Sequence, residues 1–195
     1  MNQDIIRKRF YETMLEIANQ VKKNAKKINI NDIMSTVEAI LNIYNQNNMI
    51  FIYGAGRSGF IGRCFAQRLM HLGLKSCFIS DAVTYQYTNK DLLFIISGSG
   101  ETTSSVAIAQ RAKEIGGKIF LLSTNPESTI GKISNCTIII SGKNKDNAIT
   151  QDTLAPYTSL FDISALAVLD SIGGTLMKLL DLSEEDIDKR HASIE

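Results

Sequence analysis

The sequence predicts an α/β protein: a three-layer αβα sandwich on a five-stranded parallel sheet, preceded by two helices. Three observations carry that expectation. From residue 49 on, five short apolar runs, "MIFIY", "KSCFIS", "LLFIIS", "KIFLLST" and "CTIIIS", have the continuous hydrophobicity of strands covered on both faces. Helical segments alternate with them over 58–72, over 102–115 ending at Gly116-Gly117, and briefly near 127–133. Two of the runs end in glycine-rich turns that each open a helix, "YGAGRSG" and "SGSGETTSS".

The elements follow in order. Ile6, Phe10, Met14, Ile17 and Val21 recur at helical spacing near the N-terminus, and their stripe is expected to pack on the domain or on another subunit. A second helix is expected to start at Asn31 or Asp32 and to run through Val37, Ile40, Leu41 and Tyr44. After the fifth strand, the polar residues 141–156 read as a loop. A helix over 157–180 follows, and a last helix is capped by Ser183 with Asp186 at its third position. No linker divides the chain. The expected organisation is one domain over 1–195, with N-terminal helices over 1–48, the core sheet and its helices over 49–141, and C-terminal helices over 157–195.

Composition narrows the function. The 195 residues carry a formal charge of +1, with 44 % apolar and 21 % charged residues, which is globular composition with no electrostatic pull toward nucleic acid or an anionic membrane. No apolar run reads as long enough to span a bilayer, and the N-terminus lacks the apolar core of a signal peptide, so a cytoplasmic protein is expected. Cys64, Cys77 and Cys136 are odd in number and widely spaced, and are expected as buried, reduced thiols rather than as disulfide or zinc ligands.

The glycine turns ask for an anion. "GAGRSG" fits G-x-G-x-x-G, and Asp81 lies near the place of the ribose-binding acid of a dinucleotide fold, whereas the Walker pattern is absent. The second turn decides between them. A dinucleotide needs one such turn. Two turns, the second adding the hydroxyls of Ser97, Ser99, Thr102 and Thr103, suit a compact phosphate monoester held by main-chain amides at helix N-termini.

On "GAGRSGFIGRCFAQRLMHLG", "DLLFIISGSGETTS" and the ending "LSEEDIDKRHASIE", the chain resembles the SIS (sugar isomerase) domain family, and within it the 6-phospho-3-hexuloisomerases. The resemblance covers nearly everything from residue 49 onward. It implies a flavodoxin-like sheet and, without metal or cofactor, the interconversion of D-arabino-3-hexulose 6-phosphate and fructose 6-phosphate through a cis-enediol. It also implies a homotetramer whose C-terminal tail completes a neighbour's site, and hexulose-phosphate synthase as the functional partner in the ribulose monophosphate pathway. Carried over residue by residue, Ser58, Ser97, Ser99 and Thr102, with Gly56 and Gly98, hold the phosphate. Arg57 neutralises the phosphate or a developing enediolate. The acid–base candidates are Asp162, His191, Glu195 and Asp81, and His71 is taken as structural. Two stretches depart from the family. "PYTSLFD" stands for P-x-G-T-x-F-E, so Thr158 replaces a glycine and Asp162 a glutamate. In "SDAVTYQY", Asp81 stands for a glutamate and Tyr85 for a proline. Asp162 is then either the base or a first-turn carboxylate meeting its helix dipole. The alternatives are an aldose–ketose SIS isomerase, a non-catalytic phosphosugar-binding SIS protein, and, more distantly, a dinucleotide-dependent dehydrogenase.

Overall fold

The computed structural model describes residues 2–143 and 152–193. Helices α1 (Gln3–Lys27) and α2 (Ile30–Asn45) precede β1 (Ile50–Gly54), α3 (Arg57–His71), β2 (Ser76–Phe78) and β3 (Leu92–Ile96). Then come α4 (Thr103–Ile115), β4 (Lys118–Ser123), α5 (Thr129–Ile133), β5 (Cys136–Ile139), α6 (Ser159–Leu179) and α7 (Glu184–Asp188). The five strands pair in parallel in the order β2-β1-β3-β4-β5. Strands β1 and β3 are therefore neighbours whose onward connections leave in opposite directions, and the crevice between their carboxyl ends is the topological switch point where open α/β sheets bind ligands.

Burial follows position in the sheet. Strands β1 and β3 are buried throughout and β4 in all but Lys118, whereas β2 and β5, at the two edges, are partly exposed. Helices α3 and α6 pack together on one side, with α1 and α2 against α6, while α4 and α5 pack with β3 and β4. The tilted Phe65 and Phe94 rings, 5.3 Å apart, join α3 to the central strand; truncating either buried ring would cost about 3–5 kcal/mol. Glycine brings α3 hard against the sheet. A Cβ on Gly59 would stand 2.6 Å from the Gly54 carbonyl oxygen, and one on Gly62 2.9 Å from the Phe78 ring.

Four expectations change. Helix α2 starts at Ile30, because Asn29, two residues after α1 ends, accepts the Asn31 N–H at 3.1 Å and caps it. The second apolar run forms a strand only over Ser76–Phe78, since an edge position gives it one pairing partner. Cys64 is exposed and Cys77 and Cys136 are half-buried; all three are free, and Cys64 lies on the outward side of α3. Helix α6 is long and apolar enough to cross a membrane by length and composition. Half of it is buried inside the domain, where Leu169, Ile172 and Leu176 serve the core, and this packing accounts for its hydrophobicity.

Candidate functional site

A cavity of about 350 Å³ opens at the switch point, walled by the two glycine turns and the first turn of α6. The turn after β1 and the start of α3 contribute Gly56, Arg57 and Ser58; the turn after β3 contributes Ser97, Gly98, Ser99 and Thr102; α6 and the turn before it contribute Tyr157, Thr158, Phe161 and Asp162. All six residues expected to hold phosphate thus line one cavity together with Arg57 and Asp162.

Three helices begin at this cavity, and none has a side-chain cap: Gly56 precedes α3, Thr102 precedes α4 and Thr158 precedes α6 without such a bond. The first N–H groups of a helix have no intrahelical acceptor and carry the positive end of its dipole, so three such ends make the cavity a concentrated donor site for an anion.

The second turn is tightly braced. Ser97 Oγ accepts the Gly100 N–H at 3.1 Å and Ser99 Oγ accepts the Glu101 N–H at 3.2 Å, which leaves each hydroxyl proton to donate elsewhere. The Gly98 carbonyl accepts from Ser123 Oγ at 3.1 Å and from Thr124 Oγ1 at 2.8 Å. Gly100 has φ +70, and a Cβ there would fall 2.1 Å from Ser128 Oγ, so glycine is required both by conformation and by space. Beyond it, the Glu101 carboxylate accepts from Thr129 N at 2.6 Å and Thr129 Oγ1 at 2.7 Å, and these bonds hold its pKa below the usual carboxylate range.

Across the cavity Asp162 is 2 % exposed, yet it lines the wall. Its Oδ2 accepts from Arg57 Nε at 2.6 Å and from Thr158 Oγ1 at 2.7 Å. The guanidinium reaches outward, its side chain 61 % exposed, with its terminal nitrogens beyond the nitrogen used by Asp162. The carboxylate therefore fixes Arg57 at the cavity edge while one of its own oxygens, Oδ1, is left for other work.

The other acid–base candidates lie elsewhere. His191 packs its ring 4.1 Å from that of His71, and Arg190 Nη1 donates to the His71 carbonyl oxygen at 3.1 Å. That is the C-terminal end of α3, a helix of 15 residues whose first residue lines the cavity; at 1.5 Å per residue the two ends are about 21 Å apart. Asp81 pairs with Arg63 at 2.9 Å, and that guanidinium lies over the Phe78 ring, so Asp81 belongs to the outer side of α3. Glu195 lies outside the described residues. Among the described residues no three His, Cys, Asp or Glu side chains gather as a metal site.

Sequence reasoning missed Thr158, Ser123 and Thr124. Thr158 was visible only as a departure from a family glycine; its φ of −93 needs no glycine, and its hydroxyl holds Asp162. Ser123 and Thr124 close an apolar strand, and only the fold shows that this strand end lies under the Gly98 turn.

Residues 42–167 match the SIS domain family. The chain belongs to that family. It is similar to the 3-hexulose-6-phosphate isomerase of Methanocaldococcus jannaschii, with 40 % identity over 145 residues that cover 74 % of this chain and 76 % of that one. It is also similar to the 3-hexulose-6-phosphate isomerase of Bacillus subtilis (strain 168), 35 % identical over 185 residues that cover 94 % and 98 % of the two chains. A Methanococcus jannaschii protein, whose crystal structure was used to infer a function of 3-hexulose-6-phosphate isomerase, aligns with a TM-score of 0.79 at 34 % identity, covering 93 % of this chain and 98 % of its own. In this SIS protein the cavity lies where the two glycine turns meet, within the matched residues.

Proposed function

We propose that this SIS protein is a sugar-phosphate isomerase that interconverts D-arabino-3-hexulose 6-phosphate and fructose 6-phosphate through a cis-enediol. One observation carries the reading: three uncapped helix N-termini and the hydroxyls of Ser58, Ser97, Ser99 and Thr102 converge on a cavity that also holds a buried carboxylate bonded to an arginine. The phosphate lies against Ser58, Ser97, Ser99 and Thr102 and the amides around Gly56 and Gly98, where dipoles and hydroxyls favour its charge. The carbon chain then extends toward α6. Asp162 takes the proton from carbon 2 and the electron pair forms the double bond to carbon 3; the proton on the carbon 2 hydroxyl passes to the oxygen on carbon 3, and the proton held by Asp162 returns to carbon 3, which leaves the carbonyl at carbon 2. Arg57 faces the oxygen on which negative charge develops. Carbon 2 is oxidised as carbon 3 is reduced, so the step balances within the substrate.

His191 enters this scheme only from another copy of the chain. Its own cavity is at the far end of α3, and the first half of α1 leaves Ile6, Phe10, Tyr11, Met14 and Leu15 exposed to solvent. Both features support a homotetramer in which a neighbour's tail, with His191 and Glu195, completes each site. Hexulose-phosphate synthase is the partner that supplies the substrate.

The direct test is a coupled assay for fructose 6-phosphate formed from 3-hexulose 6-phosphate. Turnover by the wild type that falls about 100-fold or more in Asp162→Ala is expected for loss of a base. Absence of wild-type turnover would overturn the isomerase reading. Mixing inactive Asp162→Ala with inactive His191→Ala chains should restore activity where sites are shared, and a His191→Ala chain that is itself fully active would remove His191 from the mechanism.

A further inference from the structure

Three non-glycine residues of the described chain have positive φ: Asn47 at +58, Asp181 at +52 and Tyr157 at +41. Asn47 and Asp181 follow the ends of α2 and α6, and both are residue types whose short side chains tolerate the left-handed region. Tyr157 has neither excuse. It is an aromatic residue in the turn over 156–159, closed by the Ser159 N–H donating to the Pro156 carbonyl oxygen at 3.0 Å. Glycine would hold that backbone without strain. The residue is 53 % exposed, so packing offsets little of the cost, yet it lines the cavity beside Thr158 and Asp162. Strained residues persist where the surroundings over-determine them, and they concentrate at ligand clamps.

We infer that Tyr157 is a substrate-contact residue: its strained turn keeps an aromatic ring at the lip of the cavity, where it packs on the carbon chain of the bound sugar phosphate. The inference rests on the sugar-phosphate reading and extends it. The phosphate is held on the opposite wall by the β1 and β3 turns, so the ring meets the part of the ligand that distinguishes a sugar phosphate from phosphate itself. Its flat apolar face suits the C–H side of the sugar, and its hydroxyl is able to bond a sugar hydroxyl.

The experiment measures kcat and KM for 3-hexulose 6-phosphate, competitive inhibition by inorganic phosphate, and melting temperature. It compares wild type with Tyr157→Gly, Tyr157→Asn and Tyr157→Phe. Glycine and asparagine both accept the backbone, so each variant should fold, and glycine should raise the melting temperature or leave it unchanged. Both should raise KM about tenfold while inhibition by phosphate stays as in the wild type. Phenylalanine, which keeps the ring, should recover most of the KM. A KM within about twofold of wild type in both ringless variants would overturn the assignment while leaving the isomerase intact. A parallel loss of phosphate inhibition would also overturn it, because the substitution would then act through the anion site. A wild type that neither turns over the sugar nor responds to phosphate would overturn the underlying reading and Tyr157's role with it.

Discussion

The helices of this SIS protein begin in two different ways. Asn2, Asn29, Ser128 and Ser183 each accept a backbone N–H and close the start of α1, α2, α5 and α7, Ser183 with a full capping box. Gly56, Thr102 and Thr158 do not, although threonine is able to cap, and these three open α3, α4 and α6 at the cavity. A missing cap costs a helix about 1 kcal/mol. The uncapped ends all lie at the cavity, so helix-end donors that capping satisfies elsewhere are unused where the proposed ligand would bind. The second contrast has the same shape. Ordinary positive-φ positions carry Asn47 and Asp181, and the cavity carries a strained Tyr157.

The sharpest way to break the comparison is to cap a cavity helix. Thr102→Asp supplies the preferred N-cap to α4, whose cap residue already has the extended backbone (φ −61, ψ 122). It should raise thermal stability while placing a carboxylate at the anion site. We expect KM for the sugar phosphate to rise about 100-fold or more, equivalent to about 2.7 kcal/mol. Unchanged KM with raised stability would mean that the uncapped N-termini serve no ligand.

Removing a hydroxyl on the other wall has a smaller effect. Thr158→Val deletes one of the two donors to Asp162 Oδ2 at nearly constant volume. A buried carboxylate losing one bond should cost about 1–2 kcal/mol. The kcat should fall about tenfold with KM little changed, and Thr158→Ser should restore it. An unchanged kcat would separate Thr158 from the carboxylate's chemistry.

The converse experiment removes a cap that does not line the cavity. Ser128→Ala takes the acceptor from the Gly131 N–H, bonded at 3.1 Å, and should cost about 1 kcal/mol of stability while KM stays put. Chemical denaturation with parallel kinetics reads both quantities. A changed KM would show that the α5 cap reaches the site through Gly100, whose turn it touches.

The smallest effect concerns pH. The Thr129 hydroxyl, and then its N–H, holds the Glu101 pKa below its ordinary value. A depressed carboxylate contributes stability that is present above the ordinary range and is lost as pH falls through its lowered pKa. Glu101 is exposed, so its share is minor. Glu101→Gln should lower the melting temperature slightly near neutrality, with the difference from the wild type vanishing as pH falls, and a difference confined to acid pH would contradict the clamp.

Much of this was legible along the chain. The strands were visible because a parallel sheet covered on both faces leaves no room for alternation. The two turns were visible because Gly56, Gly98 and Gly100 interrupt apolar runs just before helices. The Ser183–Asp186 box was visible because a capping box is local. What failed was non-local. The two-residue connection after α1 makes Asn29 the cap rather than Asn31 or Asp32. Cys64 read as buried because its neighbours in sequence are apolar, but helix α3 turns it outward. His191 lies at the far end of α3 from its own chain's cavity, a distance that no sequence motif states.

By itself, then, the sequence determined which residue types stand at the carboxyl ends of β1 and β3, and so the class of ligand this chain is built to hold. Those signals are short-range, set by strand periodicity and turn chemistry within a few residues. Only the tertiary structure decided that Asp162, 105 positions after Arg57, would meet its Nε at 2.6 Å, and that the Thr158 hydroxyl would hold the same oxygen. It alone placed Tyr157 at the lip in a backbone that disfavours it. Such contacts depend on how α6 docks on α3, and that docking is fixed by apolar packing spread over two helices, which no local pattern encodes.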